Sequence, residues 1–254
     1  MTTPNTTGQL ASYLDRYLKA EELPDSENAV NGLQVENSGR LTRVLCAVDA
    51  CDASIAAAVA RGADFIVVHH GLFWDGLRPI TGRLGRKIRA LVAHDIALYA
   101  AHIPLDCHPE VGNNAVLAGE LGLEGIQPFG RYKGIEIGAM GGIDIPLNDL
   151  VERVRERLGT SPRVIAKGPA RTRQVAVVTG AASEFIAEAH ERGIDTFITG
   201  EGPHHAFHDA EEWGINVLFA GHYATETVGV QALGEHLRDR FGLPFEFFDH
   251  PTGL

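Results

Sequence analysis

Asp64-Phe65-Ile66-Val67-Val68-His69-His70-Gly71 runs a branched apolar segment straight into two histidines and a glycine. Phe65 to Val68 are four consecutive aromatic or branched residues, the composition of a strand covered on both faces, as in a parallel α/β sheet. Strands of that kind deliver functional groups at their carboxyl ends, where the chain leaves the sheet. His69 and His70 occupy that exit. Upstream, residues 44–48 form a second buried strand, and the Ala-rich residues 54–61, closed by Gly62, form a helix. Strand, helix and strand make a βαβ unit, which implies parallel strands and a right-handed crossover.

Working outward, Leu10, Tyr13, Leu14, Tyr17 and Leu18 make the stripe of an amphipathic helix. Residues 31–36 read as a loop, 71–85 as a longer loop carrying Phe73, Trp74 and Pro79, 86–93 as a helix and 96–101 as a third strand. Pro104 predicts an extended segment from His102 to Asp106, with both side chains on one side. Asn113 or Asn114 is expected to cap a helix running to about Leu121. Residues 123–131, rich in Gly and Pro, read as a boundary between domains. Beyond it come a Gly-interrupted strand over 135–143 and an amphipathic helix over 147–158 with Asn148 as its cap. Strands at 175–178, 196–199 and 217–219 then alternate with helices at 183–192, 205–213 and 225–240, before a last strand at 245–248. Alternation in both halves places the chain in the α/β class. Its 254 residues suffice for two modest domains.

With 22 basic and 33 acidic residues the net charge is −11, which argues against a nucleic-acid surface. Cys46, Cys51 and Cys107 are odd in number and form no C-x-x-C pair, which points to a reducing compartment. Residues 1–9 lack a secretory signal, and no apolar run approaches the roughly 20 residues of a membrane helix. A cytoplasmic protein without membrane attachment is expected.

Four clusters carry chemistry. Neighbours on an ideal strand point to opposite faces, so His69 and His70 within a sheet would not share one site. At a strand end that limit relaxes, and two adjacent metal ions can each take one imidazole; a structural histidine pair is the alternative. His102 and Asp106 follow the next strand, where the carboxylate can bridge two metals through its two oxygens or a His–Asp hydrogen bond can stabilise a loop, and Cys107 reads as a small buried residue. In Gly221-His222-Tyr223-Ala224-Thr225-Glu226, a helix starting at His222 puts His222 and Glu226 one turn apart on one face, as paired ligands or as a surface pair. Glu201, His205 and His208, after the strand at 196–199, are candidates to face substrate or support ligands. His94, His190, His236 and His250 read as helix-end or surface residues. Together His69, His70, Asp106, His222 and Glu226 offer three imidazoles and two carboxylates, more than one tetrahedral ion needs. Such N/O donors suit Zn, Fe(II), Mn or Ni.

The motifs Asn31-Gly32-Leu33-Gln34-Val35, Val68-His69-His70-Gly71-Leu72-Phe73-Trp74, His102-Ile103-Pro104-Leu105-Asp106, Gly112-Asn113-Asn114, Ile198-Thr199-Gly200-Glu201 and Gly221-His222-Tyr223-Ala224-Thr225-Glu226 occur in this order. In them the chain resembles the GTP cyclohydrolase 1 type 2 family, the Nif-three-like dinuclear metal centre proteins, from about Leu10 to Arg240. The resemblance implies two metal ions on His69, His70, Asp106, His222 and Glu226, with the two adjacent rings on different ions. It implies two α/β domains with the metal pair between them, and a ring-shaped hexamer. The first domain would be 1–127 plus 222–254, carrying most ligands, and the second 128–221. The implied activity is hydrolytic opening of the GTP imidazole ring with release of formate, or hydrolysis of a similar small molecule. His102 is the expected proton carrier. Arg83, Arg86, Lys87 and Arg89 are either phosphate contacts or a solvated helix face. A non-catalytic metal-dependent binding or assembly protein is the rival class, and an iron redox enzyme a third.

Overall fold

The computed structural model describes residues 3–254 except Asp75 and Leu77, so those two positions of the expected 71–85 loop lie outside the described residues. In chain order the elements are α1 (Thr7–Leu18), β1 (Gly32–Val35), β2 (Val44–Asp49), α2 (Asp52–Arg61), β3 (Phe65–His70), α3 (Gly82–Ala93), β4 (Ala97–Ala100), α4 (Ile103–Asp106), α5 (Asn113–Glu120), β5 (Glu124–Tyr132), β6 (Ile135–Pro146) and α6 (Leu147–Leu158). They continue with β7 (Arg163–Ile165), β8 (Arg171–Val177), α7 (Ile186–Glu191), β9 (Thr196–Thr199), α8 (Ala206–Trp213), β10 (Asn216–Phe219), α9 (His222–Thr225), α10 (Thr227–Phe241) and β11 (Phe245–Phe247). The chain forms two compact units, Met1–Leu105 with Val230–His250, and Asp106–Gly229 with Pro251–Leu254.

The first unit holds a five-stranded sheet in the order β1-β4-β3-β2-β11. β2, β3 and β4 run parallel, β11 is parallel to β2, and β1 is antiparallel to β4. Phe65 to Val68 expose no surface at all, as their composition requires. Ile66 and Val68 pack with Leu45 and Ala47 of β2, Ile55 and Ala58 of α2 and Leu91 of α3. Each of these Ile, Leu and Val side chains contributes about 1.5–3 kcal/mol on burial. Parallel register sets Asp49 directly beside His70, so the strand exits line up. Residues 32–35, expected in a loop, are the edge strand β1. An edge strand buries little, so its sequence lacks the apolar run that marks β3.

The second unit holds a six-stranded sheet, β5-β6-β8-β9-β10-β7. β8, β9 and β10 are parallel, while β7 is antiparallel to β10 and β6 to β8. The residues expected to separate domains are instead β5, paired with β6 across the turn Lys133-Gly134, where both residues take positive φ of 45° and 89°. Pro128 is tolerated because β5 lies at the sheet edge and needs no outward ladder bond. Leu117 and Leu121 from α5 and its end share a core with Ala139, Leu150, Val177, Ile198 and Val228. That packing draws residues 106–127 and the start of α10 into this unit. The compact units therefore divide after Leu105 and after Gly229, against expected divisions at 127/128 and 221/222. His69, His70 and His102 belong to the first unit; Asp106, His222 and Glu226 belong to the second.

Both units repeat one plan, namely a helix, an antiparallel edge strand, then strand-helix-strand-helix-strand with all three strands parallel. The repeat extends to detail. Asp64, before β3, accepts from Thr42 N at 2.9 Å, Thr42 Oγ1 at 2.6 Å and Arg43 N at 3.2 Å. Asp195, before β9, accepts from Thr172 Oγ1 at 2.5 Å, Arg173 N at 2.7 Å and Gln174 N at 3.0 Å. In each unit one carboxylate ties the start of one strand to the next.

Several local expectations are corrected. Residues 103–106 form a helical turn rather than an extended segment, since Pro104 sits near its start, where a missing N–H costs nothing. Gly112 and Pro146, not Asn113 and Asn148, occupy the N-cap positions of α5 and α6. The helix expected over 225–240 is two, α9 and α10, with Glu226 at the break. His236 is half-buried, its ring bridging the hydroxyls of Tyr13 at 2.6 Å and Tyr17 at 3.3 Å. Cys46, Cys51 and Cys107 are thiols with no disulfide among them, and Cys107, expected to be buried, is half-buried. Among the described residues, no helix is long and apolar enough to cross a membrane.

Candidate metal centre

At the strand exits of the first unit three imidazoles converge. His69 and His70 end β3, and His102 follows β4. Their ring centroids stand 4.7 Å apart for His69–His70, 4.9 Å for His69–His102 and 5.7 Å for His70–His102. One nitrogen from each lies within 4.8 Å of the other two. Every Nδ1 has an acceptor: the Ala101 carbonyl at 2.9 Å from His69, Asp49 Oδ1 at 2.9 Å from His70, and Asp25 Oδ1 at 2.6 Å from His102. A carbonyl or carboxylate oxygen only accepts, so Nδ1 carries the proton and Nε2 is the nitrogen with a lone pair to offer an ion. Outer partners of this kind fix the tautomer and orientation of metal-binding histidines.

The motifs around these rings now have physical roles. Asn31 donates from Nδ2 to Asp25 at 2.8 Å and accepts from His102 N at 2.8 Å. Ser26 N at 2.6 Å and Ile103 N at 3.1 Å complete the grip on Asp25. Burial pushes the Asp25 carboxyl up, but the hydrogen bonds from His102, Asn31 and Ser26 outweigh it and hold the group below the usual carboxylate range. Gln34 Oε1 accepts from Leu72 N at 2.7 Å and pins the chain after the histidines. A Cβ at Gly71 would stand 2.2 Å from Gln34 Nε2, which explains the glycine there. The Trp74 ring stands nearly perpendicular to His70 and His102, with centroids 5.5 and 4.6 Å away.

In the second unit, α9 puts His222 and Glu226 on one face, as the spacing predicts, with Nε2 3.2 Å from Glu226 Oε1. His222 Nδ1 donates to Glu201 Oε1 at 2.7 Å. Glu226, overriding the burial of the ring, and Glu201 push the His222 imidazole up to about 9. Asp106 is buried and accepts from Asn113 Nδ2 at 2.9 Å and Thr179 Oγ1 at 3.2 Å. Asn113 Oδ1 in turn accepts from Gly229 N, and Asn114 bonds Ile137 O and Thr179 N, which is why neither amide caps α5.

Thr179 and Gly180, just past β8, touch both carboxylates. A Cβ on Gly180, at φ 70°, would meet Glu226 Oε1 at 2.5 Å. Gly180→Ala is therefore expected to displace Glu226 and to destabilise the chain by about 1–2 kcal/mol through the left-handed backbone alone. Metal titration should show weakened binding at a temperature where circular dichroism still reports a folded chain.

The donor chemistry fits divalent transition metals, since the first unit offers oriented imidazoles and the second an imidazole with two buried carboxylates, and no thiolate is needed. Of the candidates read from the sequence, Glu201 supports the His222 ring. His205 and His208 are exposed on and before α8, outside both groups, and His208 packs against His204 and Phe207. His205 and Glu201 line a cavity of about 460 Å³ together with Ser183, Ile186, Pro203 and Trp213. Asp25, Asp49 and Thr179 were not expected. Asp49 carried a readable signal, as the last residue of a buried strand next to β3; Asp25, in a loop without periodicity, carried none.

The family model Duf34/NIF3 (NGG1p interacting factor 3) matches residues 6–252. A protein of Deinococcus radiodurans named GTP cyclohydrolase 1 type 2 homolog is 42% identical over 248 residues, 97% of this chain and 94% of that one. A Pyrococcus abyssi protein of the same name is 44% identical over 249 residues, covering 97% and 98% of the two chains. The crystal structure of TTHA1606 from Thermus thermophilus superposes with a TM-score of 0.91 at 42% identity, over 98% of this chain and 100% of that one. With agreement of this extent in sequence and fold, the chain belongs to the Duf34/NIF3 (NGG1p interacting factor 3) family.

Proposed function

We propose that the protein is a dinuclear metal-dependent hydrolase acting on a nucleotide or a similar small molecule. Its ligands are His69, His70, Asp106, His222 and Glu226, on two ions drawn from Zn, Fe, Mn or Ni. The observation that carries this reading is the uniform arming of the imidazoles, since each of the four histidines at the strand exits has its Nδ1 on an oxygen acceptor. Relatives named GTP cyclohydrolase 1 type 2 homolog supply the reaction class. When bound, zinc-like ions lower the pKa of coordinated water toward about 7 and stabilise developing charge. The chain's own contribution is orientation. Ala101, Asp49 and Glu201 set the rings, while Asn113 and Thr179 set Asp106. The cavity beside Glu201 has the volume of a small-ligand site. Lys87, whose Nζ donates to Ala50 O at 2.7 Å, would be a phosphate contact in this reading, with Arg83 and Arg89 as further candidates; Arg86 is paired with Asp52. Assembly into a hexamer and a cytoplasmic location complete the proposal.

The test is metal analysis of protein purified without added metal, followed by GTP turnover read as formate release. A screen of nucleotides and phosphoesters, with and without Mn or Zn, extends it. Up to two ions per chain and turnover abolished by chelation are expected. A chain that retains no metal refutes the reading. A metal-filled chain that hydrolyses nothing, yet loses thermal stability or its oligomer on chelation, is the non-catalytic assembly protein instead. Native iron with redox turnover would mark the third class.

A further inference from the structure

We propose that His102 is itself a metal ligand, sharing with His69 one of the two ions, and that Asp25 is the carboxylate that holds it in that role. This rests on the metal-centre reading above and adds a sixth side chain to it. Three observations carry it. The His102 ring lies nearer His69 than His70, at 4.9 against 5.7 Å. One nitrogen from each of the three imidazoles lies within 4.8 Å of the other two. Ligands on one ion at about 2.0–2.1 Å each stand at most roughly 4 Å apart, so a shift of under about 1 Å brings His69 and His102 to one ion. Finally, the hydrogen bond His102 Nδ1–Asp25 repeats what Ala101 O does for His69 and Asp49 does for His70.

The support for His102 is more elaborate than for either neighbour. Its backbone N–H donates to Asn31, and Asn31 and Ile103 N both donate to the same Asp25 carboxylate. The side chain of Asp25 is 7% exposed and that of His102 16%. A group that carries protons must exchange them with solvent or turn between partners. This ring is clamped at Nδ1 and boxed by His69, His70 and the perpendicular ring of Trp74. Such immobility suits coordination. A further imidazole also makes that ion's surroundings richer in nitrogen, which favours Zn, Co or Ni over Mn or Mg there.

The experiment uses the full-length chain and Co(II) as the probe, read by visible and near-ultraviolet absorption and by the binding isotherm. His102→Cys is expected to add a thiolate-to-cobalt charge-transfer band that the parent, with Cys46, Cys51 and Cys107 all present, does not show. Asp25→Asn is expected to weaken one of the two cobalt affinities by 10–100-fold, the cost typical of losing an outer-shell partner. If the parent binds cobalt but His102→Cys adds no band and Asp25→Asn leaves the isotherm unchanged, the proposal is overturned and the metal centre stands. It is equally overturned if both variants lose turnover with cobalt spectra and affinities intact, which is the behaviour of a proton carrier. A parent that binds no cobalt overturns both readings. Should His102→Cys fail to fold by circular dichroism, Asp25→Asn decides alone.

Discussion

Glu226→Ala is expected to lower metal affinity by roughly 100-fold or more and to abolish metal-dependent turnover, while the chain stays folded. Glu226 has only 3% of its surface exposed, sits at the break between α9 and α10, and faces His222 Nε2 at 3.2 Å. Removing it deletes a donor and the partner that orients a second donor. The effect should exceed that of Glu201→Gln, which removes only an outer partner of His222 Nδ1 and should cost 10–100-fold. His208→Ala should leave metal binding unchanged, because His208 lies on α8 with His204 and Phe207 as neighbours. Isothermal titration with Zn or Mn across the three variants measures the series. Equal affinities in all three would remove Glu226 from the ligand set.

Asp64→Ala should lower the stability of the chain by about 3 kcal/mol, with a fall in Tm of roughly 6–12 °C. Asp64 is 3% exposed and accepts hydrogen bonds from Thr42 N, Thr42 Oγ1 and Arg43 N, leaving those donors stranded when it is truncated. Arg40 Nε lies 3.3 Å away but its side chain is 63% exposed, so Arg40→Ala should cost only about 0–1 kcal/mol. Asp195→Ala should act like Asp64→Ala, since the second unit uses the same device on Thr172, Arg173 and Gln174. Urea unfolding followed by circular dichroism distinguishes these cases. An Asp64→Ala chain within about 1 kcal/mol of the parent would show that Asp64 does not clamp β2 to β3.

The buried strands were legible because burial on both faces demands an unbroken apolar run, and β2 and β3 satisfy it locally. Edge elements were not, because β1 and β5 bury too little to impose a pattern, and the glycines and Pro128 of β5 look like a linker. The duplicated plan of the two units also escaped a reading by residue type. It resides in pairing directions and in two aspartates whose partners lie 22 and 23 residues upstream.

What the sequence by itself determined is the α/β class and the strand exits at which the candidate donors stand, because a histidine ending an apolar run announces its own position. Tertiary structure alone decided which nitrogen of each ring faces outward. The oxygens that take Nδ1 come from 21 to 77 residues away, at Asp49, Ala101, Glu201 and Asp25, and hydrogen bonds across such separations leave no local trace in composition or period. Packing of α5 and the start of α10 against β6 and β8 likewise decided which unit carries Asp106, His222 and Glu226, since a compact unit is defined by the core it buries.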